Sequence, residues 1–124
     1  GRLFEGSAHQ LYSSIYNKIK SLPDSTRLFF GHEYTYRNMK FACLVEPTNT
    51  LSATRLEEAA KQPNGGGIPS SLGLEKRTNP FFRCHIPEVV EYVKEHVVLV
   101  DDGCSEIFKG LRVLLDAHNS PKNL

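Results

Sequence analysis

No stretch of this 124-residue chain is apolar for the roughly 20 residues that a bilayer core demands, so a membrane-spanning helix is not expected. Cysteine is scarce. Cys43, Cys84 and Cys104 are odd in number, far apart and in no CxxC pair, which argues against a disulfide framework and a zinc ribbon. A reducing, intracellular and cytoplasmic setting is expected, and composition does not separate it from a mitochondrion or another organelle. Runs of like charge are also missing: fifteen basic and fourteen acidic residues give a net charge of +1, so neither nucleic acid nor a membrane surface is expected as a partner. There is no internal repeat and no low-complexity tract. His9, His85, His96 and His118 share no metal-ligand spacing. What is present is ordinary globular composition, 40% hydrophobic and 23% charged, enough for one modest core. The opening Gly1-Arg2-Leu3-Phe4-Glu5-Gly6 has no Met and already carries apolar residues and a turn glycine. The sequence is therefore expected to begin inside a larger protein.

Periodicity predicts a mainly helical chain. Ser7 is a good N-cap, and Leu11, Ile15, Ile19 and Leu22 follow at helical spacing, predicting an amphipathic helix over residues 8–21 that Pro23 and Asp24 end. Residues 26–30 predict one short strand, too apolar to alternate and so buried on both faces. A lone strand needs a mate, either in another part of the polypeptide or in another molecule, so self-association through an exposed strand edge is expected. Residues 36–45 predict a helix burying Met39, Phe41, Ala42, Leu44 and Val45, where Cys43 is an inert thiol. Residues 50–61 predict another, with Leu51, Leu56, Ala59 and Ala60 inside and Arg55, Glu57, Glu58 and Lys61 outside. Residues 62–67 read as a flexible loop and residues 70–75 as a possible helical turn. Asn79-Pro80-Phe81 reads as a structural anchor in an extended segment. Pro87 opens a helix to about Glu95, residues 97–100 could extend it or form a strand, and residues 104–117 predict a last helix with Ile107, Leu111, Leu114 and Leu115 as its stripe.

The stretch with most chemistry is Gly31-His32-Glu33-Tyr34-Thr35, a histidine delivered at the end of an apolar run. GHEYT, then Asn38, Phe41-Ala42, Val45-Glu46-Pro47, Ile68-Pro69-Ser70-Ser71-Leu72 and Asn79-Pro80-Phe81-Phe82-Arg83, occurs in an order that resembles hydroxyacylglutathione hydrolase, also called glyoxalase II. The opening GRLFEG fits the same pattern, and the last forty residues or so match only loosely.

The resemblance implies an α/β fragment of a metallo-β-lactamase fold over residues 1–35, holding one helix and one short strand, followed by a mainly α-helical substrate-binding domain over residues 36–124. The implied activity is hydrolysis of the thioester S-D-lactoylglutathione to D-lactate and glutathione, by hydroxide activated on two divalent ions of zinc or iron type. Of that metal site only His32 is present. HxHxDH and the bridging Asp are absent, so the chain alone is expected to bind no metal stably and to be inactive, the missing N-terminal half of the fold supplying the rest. For the glutathione thioester the resemblance implies contacts from Tyr34, Asn38, Arg2 and Arg112. Leu115 stands where the family carries the Lys of an Arg-x-x-Lys clamp, which leaves open a solvated surface role for Arg112 and a substitute role for Lys109. The alternative reading is a non-catalytic glutathione- or protein-binding module derived from the same family.

Overall fold

The computed structural model describes residues 7–28, 34–61 and 70–119. His32 and Arg2, and the loop expected over residues 62–67, lie outside the described residues. Within them no helix is long and apolar enough to cross a membrane.

The first helix, α1 (Ala8–Ser14), starts as the sequence predicts. Ser7 Oγ accepts from the Gln10 amide and the Gln10 side chain accepts from the Ser7 amide, a capping box that satisfies two otherwise orphaned N–H groups. It continues as a π-helical turn, Ile15–Ile19. Leu11, Tyr12, Ile15 and Tyr16 pack on the core, while Ile19 and Leu22 are exposed, because the wider turn carries the apolar stripe off the core face.

The expected lone strand has a mate inside the chain. β1 (Arg27–Leu28) pairs antiparallel with β2 (Ser70–Ser71), Arg27 opposite Ser71 and Leu28 opposite Ser70. One correction follows: the described part of the strand is not buried on both faces, since Arg27 is exposed and Leu28 half-buried. β2 occupies one edge of β1. The ribbon is tied to α4 (Leu72–Thr78), whose Leu72 amide donates to Thr26 O at 2.8 Å and whose Gly73 amide donates to Asp24 O at 2.9 Å. A side chain at Gly73 would meet the Asp24 Cβ at 3.1 Å, so the approach favours glycine.

In α2 (Thr35–Val45) the buried face is Met39, Phe41, Ala42 and Val45, and Leu44 is 50% exposed. In α3 (Thr50–Ala60) the expected faces are corrected: Leu51 and Ala60 are exposed, Ser52 is fully buried and Arg55 folds inward. The inner face is polar because it meets α4 through hydrogen bonds. Ser52 Oγ donates to Thr78 O at 3.4 Å, and the Arg55 guanidinium donates to Thr78 Oγ1 at 2.9 Å and to Glu75 Oε1 at 2.9 Å. Beside this seam Arg83 grips the buried Glu46, Nε to Oε1 at 2.6 Å and Nη2 to Oε2 at 2.9 Å.

The segment expected to be extended forms a 3-10 turn, Pro80–Phe82, with Pro80 at its first position and the Asn79 side chain accepting from the Phe81 amide. α5 (Pro87–His96) and α6 (Cys104–His118) match their expected bounds closely. Residues 97–100 are neither helix nor strand. Val97 and Leu99 turn to the core, whereas Val98 is 100% exposed. The centre is Phe108, Ile107 and Leu111 of α6 against Val89 and Val93 of α5, with Phe41 and Val45 of α2 completing it.

Candidate functional site

Five elements converge on a cavity of about 310 Å³. Leu11 and Ile15 come from the first helix and the π-helical turn, Asn38, Met39 and Phe41 from α2, Asn79 to Phe82 from the 3-10 turn, and Phe108, Arg112 and Leu115 from α6. The walls are aliphatic and aromatic. Phe81 meets Phe108 edge to face at 5.0 Å between centroids, which fixes both rings. Polar character enters at Asn38, Asn79 and Arg112, and Arg112 is the only ionic side chain among the described residues that line the cavity.

Arg112 is 8% exposed, so the solvated surface role is corrected. It is held by Asp116 one turn later on α6, Nη2 to Oδ1 at 2.5 Å, and its guanidinium lies 5.8 Å from the Phe81 ring centroid. Lys109, on the same helix, is exposed and does not line the cavity. Leu115 is buried and forms apolar wall.

Asn38 lies in the first turn of α2, its amide donating to Tyr34 O at 2.9 Å. Tyr34 is the N-cap residue of that helix, half-buried, with the Arg37 guanidinium 5.8 Å from its ring, and it does not line the cavity. The structure thus brings Asn38 and Arg112 together and sets Tyr34 one turn away. The residues that sequence reasoning missed are Asn79, Pro80, Phe81 and Phe82, read as an anchor; two adjacent aromatics after a proline were the available signal.

Other reactive groups lie apart from this chemistry. The Cys84 thiol is buried, and burial pushes it up to about 12; its amide donates to the Tyr16 phenol oxygen at 3.1 Å. Cys43 is half-buried and burial raises it too, in keeping with an inert thiol. His118 packs against Phe41 at 5.8 Å between rings, a structural placement. Among the described residues no group of three or more His, Cys, Asp or Glu side chains could hold a metal ion, so they do not themselves form a metal centre. A wider depression of about 590 Å³ lies over residues 94–102, but a single stretch of chain builds it and no second element contributes.

A mostly helical domain with an apolar cavity and a buried cation in its wall is the class of module that the geometry defines. Residues 33–118 match the family described as hydroxyacylglutathione hydrolase C-terminus, and the chain belongs to that family. Similar proteins named hydroxyacylglutathione hydrolase include one from Cyanothece sp., 48% identical over 76% of this chain and 37% of its own length. One from Dictyostelium discoideum is 42% identical over 77% and 38%, and one from Pseudomonas syringae is 41% identical over 94% and 45%. The chain thus spans less than half the length of these relatives.

Proposed function

We propose that this chain is the C-terminal part of a metal-dependent thioester hydrolase of the hydroxyacylglutathione hydrolase type, and that its cavity receives the glutathione portion of S-D-lactoylglutathione. The observation that carries the reading is the meeting of Asn38 and Arg112 in one apolar cavity. A tripeptide thioester offers carboxylates, amides and an apolar thioether. A planar guanidinium takes a carboxylate through paired hydrogen bonds, and a side-chain amide both donates to and accepts from a peptide group. The resemblance assigns Tyr34 and Arg2 further contacts with the same ligand.

On this reading residues 1–35 close a metallo-β-lactamase domain and residues 36–124 form the substrate domain. His32 is one ligand of a pair of zinc- or iron-type ions that, when bound, supply a hydroxide near neutral pH and polarise the thioester carbonyl. The remaining ligands belong to the preceding part of the polypeptide, so the chain alone does not hydrolyse the thioester. Free thiols at Cys43, Cys84 and Cys104 suit an intracellular, cytoplasmic setting.

The test is steady-state hydrolysis of S-D-lactoylglutathione by the metal-loaded full-length polypeptide. Arg112→Ala should raise KM by about tenfold or more with kcat little changed, the loss of a charged hydrogen bond. Lys109→Ala should leave both constants as they were. A metal-loaded enzyme without thioesterase activity would overturn the hydrolase reading, and glutathione binding without hydrolysis would favour the non-catalytic binding module.

A further inference from the structure

We infer that Asp116 is a positioning residue: it stands outside the cavity and sets the direction in which Arg112 presents its guanidinium to the ligand. The inference rests on the reading of the cavity as a glutathione site and adds to it a residue that does not touch the ligand.

The geometry separates the two side chains by role. Arg112 lines the cavity with its side chain 9% exposed, whereas Asp116 does not line it and its side chain is 45% exposed. They lie at i and i+4 on α6, where side chains share one face, and Nη2 meets Oδ1 at 2.5 Å. Phe81, itself fixed against Phe108, packs by the same guanidinium. A free arginine side chain samples many rotamers, and losing that freedom opposes ligand binding. Two contacts on the guanidinium, one ionic and one aromatic, remove much of that freedom before the ligand arrives.

The alternative role for a carboxylate at this place has the opposite sign. An anion close to Arg112 repels an anionic ligand and competes for the same donors. Asparagine and alanine separate the two roles, because Asn keeps the Oδ1 acceptor and removes the charge, while Ala removes both. If Asp116 positions Arg112, Asp116→Ala raises KM and Asp116→Asn restores it. If Asp116 only competes, both variants lower KM.

The experiment is steady-state kinetics of the metal-loaded full-length polypeptide with S-D-lactoylglutathione, comparing the parent with Asp116→Ala, Asp116→Asn and Arg112→Ala, each checked for parental unfolding temperature. The expected result is a rise in KM of about five- to tenfold for Asp116→Ala, kcat within about twofold, and KM for Asp116→Asn at or below the parental value. A double variant, Arg112→Ala with Asp116→Ala, should be no worse than Arg112→Ala alone, since Asp116 acts only through Arg112. Unchanged or lowered KM in Asp116→Ala, with Arg112→Ala still impaired, would overturn the inference and leave the glutathione reading intact. Unchanged KM in Arg112→Ala would overturn the reading itself. A variant that unfolds early is replaced by Asp116→Ser, which carries the same expectation as Asp116→Ala.

Discussion

Three arginines show how far the surroundings decide what one residue type does. Arg55 and Arg83 are spent on structure, Arg55 gripping Glu75 between α3 and α4 and Arg83 gripping Glu46 just past the end of α2, and breaking such a buried pair typically costs about 3–5 kcal/mol. Arg112 is turned into the cavity instead. Sequence alone could not tell these fates apart, because each depends on a carboxylate or a wall brought from elsewhere in the chain. Cys84 is a residue whose chemistry burial alters strongly. Burial holds its thiol protonated up to about 12, whereas an unfolded chain releases that proton near 9.0. The neutral thiol's contribution to stability is therefore complete below about pH 9 and is lost as pH rises toward about 12, by up to about 1.4 kcal/mol per pH unit. The half-buried Tyr16 phenol is raised as well and acts in the same sense. Denaturant unfolding across this alkaline range should show the decline, and Cys84→Ala should flatten its lower part. Equal slopes for parent and variant would contradict the buried-thiol account.

At the scale of elements, α5 and α6 carry the core because a glycine lets them approach. A Cβ on Gly110 would lie 2.4 Å from Val93 Cγ1, and Val93 is fully buried. In an exposed helix Gly→Ala gains about 1 kcal/mol. Here the methyl must push the helices apart, so Gly110→Ala is expected to destabilise by about 1–3 kcal/mol. Thermal unfolding decides the sign, and a raised midpoint would show that the contact is not limiting. The helices were legible where a cap and an apolar stripe agree: Ser7 with Leu11 and Ile15 for α1, Pro87 for α5, and Ile107, Leu111 and Leu115 for α6. They were misread where the buried face is polar, as at Ser52 and Arg55, since periodicity counts apolar residues only. β2 was invisible because two serines carry no strand signal; their pairing with Arg27 and Leu28 is a long-range fact. The turn at Asn79-Pro80 was legible in chemistry, an Asx cap before a proline, but was read as extended because the aromatics behind it drew the weight.

For the molecule as a whole, the cavity is the place where the ends of the described chain meet. The first helix supplies Leu11, α6 supplies Arg112 and Leu115, and the middle supplies Asn38 and Phe81. Of the candidate site, Asn38 was singled out through the family's ordered motifs and Arg112 through the looser match of the last helix, whereas the apolar walls that make them a pocket were not legible, because a cavity is a property of packing and leaves no local pattern. This chain spans less than half the length of these relatives, so the proposed activity is tested on the full-length polypeptide, and ligand capture is the part proposed for these residues. Hydrogen exchange of that polypeptide, with and without millimolar glutathione, tests the assignment without relying on turnover. The account predicts added protection at the start of α2, in the turn Pro80–Phe82 and around Arg112 in α6, with none over residues 94–102. Protection confined to residues 94–102, or no change at the cavity elements at saturating ligand, would contradict it.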